Sequence, residues 1–195
     1  MIMQTKRYFR YFTIADYERE QKWLNAMSRS GYNFVRTNGL VYTFEKGVPG
    51  EYIYKIDLPN ESMTDVEVDA YYKFMEECGV EIVSTYKFWR YIRKKSADGP
   101  FDAANNTMAQ LSMVNRAYGV ATRMSNILIV VFALIILALN ISLSFANGTV
   151  AEFISGAIHG IASSAFLAMA IIIVPIVRRL RSRMNELIEE IQIKG

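Results

Sequence analysis

The 195-residue chain has one cysteine, Cys78, one histidine, His159, and four prolines. A lone cysteine excludes an internal disulfide and fits a reducing, cytoplasmic setting. The lone histidine excludes more. It lies in an apolar stretch, so the rest of the chain holds no Ser-His or Cys-His catalytic pair and no His-bearing zinc site. No glycine-rich phosphate loop is present, and residues 1–12 interleave Lys6, Arg7 and Arg10 with aromatics instead of forming the apolar run of a secretory signal. The acid groups Glu76 with Glu77, and Asp65 with Glu67 and Asp69, read as helix-face or cap charges. Cys78, beside Gly79 at a helix end, reads as a buried small hydrophobe. The expectation is a non-enzymatic protein without cofactor or metal.

Charge is also scarce where apolar residues crowd together. Between Met124 and Val177 the only charged side chain is Glu152. Residues 125–145 and 153–177 are free of Asp, Glu, Lys and Arg, and about 20 residues of helix cross a bilayer core. Two membrane spans are expected. Arg116 and Arg123 precede the first, Arg178, Arg179, Arg181 and Arg183 follow the second, and residues 146–152 carry no basic side chain. By the positive-inside rule both termini face the cytoplasm. The sequon at Asn147 and Thr149 lies too close to the bilayer to be a good acceptor and reads as a turn. Pro175 is placed to bend the last turn of the second span, and residues 177–193 continue it as a charged cytoplasmic helix.

In the second span Gly156, Gly160, Ser164 and Ala168 recur at four-residue steps, a small-residue face that admits another helix closely. It reads first as packing against the first span of the same chain, with a dimer interface as the alternative. Asn140 and His159 fall at similar depths in an antiparallel hairpin and are expected to join the helices by a hydrogen bond, with proton relay as the alternative.

The soluble part contains a repeat. Strand, helix and hairpin fall at 6–12, 16–30, and 32–37 with 40–45 around Asn38-Gly39; they recur at 51–57, 64–78, and 80–85 with 88–93. An offset of 48 places Met27 on Met75, Gly31 on Gly79 and Lys46 on Lys94. Both glycines stand where a left-handed helix cap needs one. The expected fold is α+β: a tandem βαββ repeat forming a mostly antiparallel sheet with both helices on one face, followed by a two-helix transmembrane hairpin. Its parts are a cytoplasmic domain at 1–95, a linker and juxtamembrane amphipathic helix at 96–123, the hairpin at 124–177, and a basic tail at 178–195. Residues 96–106 read as a hinge.

The open sheet face is expected to display aromatics. Tyr8, Tyr42, Tyr86, Trp89 and Tyr91 are the candidate partner-binding residues, interleaved with Arg10, Arg36 and Arg90. Residues 1–100 carry 15 Lys and Arg against 14 Asp and Glu. That near-neutral balance argues against nucleic acid as the partner.

Residues 17–27 (YEREQKWLNAM), then Gly31-Tyr32, then residues 42–52 (YTFEKGVPGEY), resemble the bacterial family of domain of unknown function 2812 over roughly residues 8–95. The resemblance implies a membrane-associated sensory or regulatory role at the bacterial inner membrane, often beside PadR-like regulators, and supplies no catalytic residues. Gln21 stands where many members have an acidic residue, which reads as a surface change. The functional expectation is a membrane-anchored sensory or adaptor module binding a protein partner or an apolar ligand. The alternative is a small oligomeric transport or channel subunit; in either case the chain can form a homo-oligomer.

Overall fold

The computed structural model describes residues 5–60, 63–101, 107–144 and 149–194. The chain divides into two compact units, Met1–Ala117 with Arg183–Gly195, and Tyr118–Ser182.

In the first unit the elements run β1 (Thr5–Phe9), α1 (Tyr17–Arg29), β2 (Tyr32–Thr37), β3 (Val41–Lys46), β4 (Tyr52–Asp57), α2 (Asp65–Glu77), β5 (Val80–Tyr86) and β6 (Trp89–Lys95). The tandem βαββ plan therefore holds. It builds two three-stranded antiparallel sheets, ordered β1-β3-β2 and β4-β6-β5, where one sheet was expected. The correspondence is closer than sequence identity suggests. Both second strands are irregular at the same place, between Phe34 and Arg36 and between Ile82 and Ser84, 48 residues apart. Gly31 and Gly79 both have φ +79°, the left-handed geometry that ends each helix. The first hairpin turns through three residues, with Asn38 Oδ1 accepting from the amides of Leu40 and Val41. The second turns at Lys87, φ +52°, and Phe88.

Strand alternation splits the apolar residues of the second sheet between two cores. Tyr54, Ile56 and Tyr91 join Leu24, Phe34, Tyr42 and Phe44 in one cluster beneath α1. Ile92 and Val80 join Tyr72 and Phe101 in another beneath α2. The second sheet thus has a helix on each face, correcting the expectation of both helices on one side. The first core is largely aromatic: Trp23 meets Tyr8, Tyr42 and Phe44 edge-on at 6.4, 5.1 and 5.4 Å, a geometry that adds about 0.5–1.5 kcal/mol per pair to burial itself.

The expected hinge is tied down at its start. Ser96 donates through its amide to Glu51 O and through its hydroxyl to Gly50 O, and Phe101 is buried. Residues 102–106 of that stretch lie outside the described residues. Cys78 is exposed at the end of α2, not buried.

Two long helices complete the chain, α3 (Thr107–Ser144) and α4 (Thr149–Lys194). The expected juxtamembrane helix and first span are one helix, and the second span runs through Pro175 into the tail. Each contains a stretch long and apolar enough to cross a membrane, with none of that stretch buried. The start of α3 and the end of α4 belong to the first unit, where Met113, Val114, Ala117 and Leu187 are buried and Arg183 pairs with Glu18 at 3.4 Å. Of the expected outer loop, residues 146–148 lie outside the described residues and Thr149 begins α4.

Candidate functional site

The proposed aromatic surface is mostly core. Tyr42 and Tyr91 are 1% and 2% exposed, so neither can meet a partner. Their phenols, one from each sheet, both donate to Glu20 Oε1 on α1, at 2.6 and 2.7 Å. Glu20 is itself buried, and desolvation raises its carboxyl above the ordinary carboxylate value against the opposing pull of the two tyrosines. Burial, and then the Glu20 charge, push both phenols upward in turn. Tyr8, Tyr86 and Trp89 are partly buried against the same core. Trp89 stacks on Tyr17 at 5.8 Å. Tyr86 lies where Gly39 has no side chain: a methyl there would come within 2.5 Å of the ring.

Sequence reasoning missed a second set on α1. Asn25 Nδ2 donates to Tyr54 O at 2.8 Å, and its Oδ1 accepts from Tyr54 N at 2.9 Å. Gln21 Oε1 accepts from Ile56 N at 3.0 Å, and Ser28 Oγ donates to Tyr52 O at 2.6 Å. Three uncharged polar residues at i, i+4 and i+7 therefore satisfy the outer edge of β4 as a neighbouring strand would. Gln21 is accordingly no mere surface change. An acidic residue at that position keeps the acceptor that Ile56 uses. The readable signal was an uncharged polar row in an otherwise charged helix.

An open concavity of this unit lies at the end of β1. A cleft of about 440 Å³ is lined by Phe9, Arg10, Tyr11, Phe12, Arg19 and Trp23. Phe9 and Tyr11 are 73% and 62% exposed. The Arg10 guanidinium sits 5.7 Å from the Trp23 ring and that of Arg19 5.5 Å from Phe12. Arg19 also pairs loosely with Asp16 at 3.7 Å, whereas among the described residues no carboxylate pairs with Arg10. Cations against aromatic faces are pre-positioned for an anionic group carried on an apolar body. Among the described residues no cluster of His, Cys, Asp and Glu is arranged to hold a metal ion.

In the second unit Asn140 and His159 come together, with His159 Nε2 3.2 Å from Asn140 Oδ1, while Asn140 Nδ2 donates to Ile136 O. Phe132 and Phe166 meet at 5.2 Å. The small-residue face is not part of this packing. Gly156, Gly160, Ser164 and Ala168 are exposed, and a methyl added at either glycine meets nothing within 4 Å. This overturns the reading that the face packs on the first span.

No curated protein and no solved structure matches the chain. A family model described as a protein of unknown function (DUF2812) matches residues 16–129, which takes in α1, both sheets from β2 onward, the linker and the first half of α3. The match covers more than half of the chain and extends past the hinge that bounded the sequence resemblance; the chain belongs to the DUF2812 family.

Proposed function

We propose that this protein is a non-enzymatic sensory or adaptor module, anchored in the bacterial inner membrane by a hairpin of α3 and α4, with both termini and the α/β unit cytoplasmic. The observation that carries the reading is where apolar surface is left uncovered. The α/β unit consumes most of its aromatic residues in a core, whereas none of the apolar stretch of α3 or α4 is buried, an arrangement suited to lipid. The arginines flanking the two stretches support the orientation. With Tyr42 and Tyr91 buried, the protein partner or apolar ligand is assigned to the Phe9–Trp23 cleft.

Single-cysteine variants at Ser96, Asn147 and Lys194 on a Cys78→Ala background test the topology in intact cells; the exposed native thiol must be removed first. An impermeant thiol reagent is expected to label Asn147→Cys alone. Labelling of Ser96→Cys from outside overturns the cytoplasmic placement and with it the regulatory reading.

The exposed Gly156–Ala168 face favours a second reading, a small oligomeric transport or channel subunit. Flux in liposomes containing the purified chain decides it: oligomers that leave the vesicles tight sink this alternative.

A further inference from the structure

The two sheets end in four edges, and three of them are covered. β2 and β5 lie beside each other, with the Tyr54 phenol accepting from Phe34 N at 2.9 Å. The outer edge of β4 is closed by Gln21, Asn25 and Ser28. β1 occupies in the first repeat the place that β4 occupies in the second, yet among the described residues β3 is its one strand partner and no strand or helix packs extensively along its outer edge. An uncovered strand edge is a template for another strand.

The side chains of β1 restrict what can pair there. Lys6 and Arg7 are exposed, and Arg10 follows directly. Lys6 is occupied by Tyr32 OH at 2.6 Å, while among the described residues no carboxylate pairs with Arg7 or Arg10. Like charges opposed across a strand pair are unfavourable, so this edge works against pairing with β1 of a second copy. It suits a strand of opposite sign. At its end the edge runs into the cleft, with Phe9 common to both.

We propose that the outer edge of β1 takes an acidic segment of a partner protein as an added strand. The segment's backbone hydrogen-bonds to β1, carboxylates on its two faces meet Arg7 on one side and Arg10 on the other, and one apolar side chain enters the cleft against Trp23. The inference rests on the partner-binding reading above and specifies the partner's chemistry.

The test uses the full chain in detergent with Trp89→Phe, so that only Trp23 reports by fluorescence. Three ten-residue peptides are titrated: paired glutamates alternating with paired valines, so that both faces of the strand carry carboxylates, with one central phenylalanine, the same peptide with lysine for glutamate, and the acidic peptide N-methylated at alternate residues. The expected result is saturable binding of the acidic peptide, weakened about tenfold or more by Arg7→Glu with Arg10→Glu and by N-methylation. The lysine peptide should bind the charge-reversed protein instead. Absence of acidic-peptide binding overturns the inference, as do equal binding of the lysine peptide, indifference to N-methylation, or stronger binding of a single-stranded oligonucleotide at the same cleft. A partner crosslinked in membranes and still recovered with the charge-reversed protein leaves the adaptor reading standing while this site fails.

Discussion

The two repeats share strand order, a strand irregularity and a left-handed glycine at matching positions, yet their helices are held differently. Tyr17, Glu20, Leu24 and Ser28 of α1 are buried, and its uncharged polar row engages β4. On α2 only Tyr72 is buried, and Val66 and Phe74 are 77% and 61% exposed. The positions of α2 that correspond to Gln21, Asn25 and Ser28 are Asp69, Lys73 and Glu76, all exposed. The difference follows from place in the chain. The first repeat docks its helix on β4 of the second, whereas among the described residues α2 meets the strands of its own repeat, as in repeat arrays whose terminal members are atypical.

The contrast can be broken most forcefully in the core. Leu24→Ala should cost about 2–5 kcal/mol, whereas Phe74→Ala at the exposed face of α2 should stay within about 0.5 kcal/mol. Pulse proteolysis of the full chain in urea separates the two. A comparable loss at Phe74 means that α2 is covered after all. Asn25→Ala removes both bonds to Tyr54 and leaves its amide and carbonyl unpaired, for about 1–3 kcal/mol, with faster hydrogen exchange at Tyr54. Lys73→Ala, at the corresponding position of α2, should leave exchange at every strand amide unchanged.

A smaller difference is expected between the two cap glycines. Alanine at either φ of +79° costs roughly 1–2 kcal/mol, but at Gly31 the added methyl also lies 3.3 Å from Gly47 O and Pro49 Cγ, whereas at Gly79 its nearest neighbour is Asp98 Oδ2 at 3.8 Å. Gly31→Ala should therefore melt below Gly79→Ala. The least effect concerns pH. Because the folded protein raises the Glu20 carboxyl, its contribution to stability is full below the unfolded value of about 4.3 and declines as pH rises through the folded one. Relative to Glu20→Gln, the wild-type protein should lose stability on going from acid to neutral pH. A flat difference between the two melting curves would refute the assignment.

Periodicity made the elements legible, because strand alternation, the Asn38-Gly39 pair and the glycines after each helix are local signals. The number of sheets was not legible, since nothing local states whether β2 bonds to β5 or merely lies beside it. The aromatic site was misread for a related reason. Alternation places Tyr42 and Tyr91 on defined faces but does not say that α1 covers the face of each sheet on which they stand. The edge-capping role of Asn25 depends on a strand 29 residues away. Asn140 and His159 were legible because an antiparallel hairpin fixes relative depth. The small-residue face was not, since four-residue spacing marks a helix face without naming its neighbour.

The ion pair between Glu18 and Arg183 has a consequence for the order of synthesis. Its partners are separated by 165 residues, and both long apolar stretches lie between them in the chain. The repeats can acquire their cores once Phe101 has left the ribosome, but Arg183 and the buried Leu187 are made only after the second apolar stretch. The last contacts of the α/β unit therefore wait for the end of α4, and a chain ending before Arg183 lacks both the Glu18 ion pair and the buried Leu187.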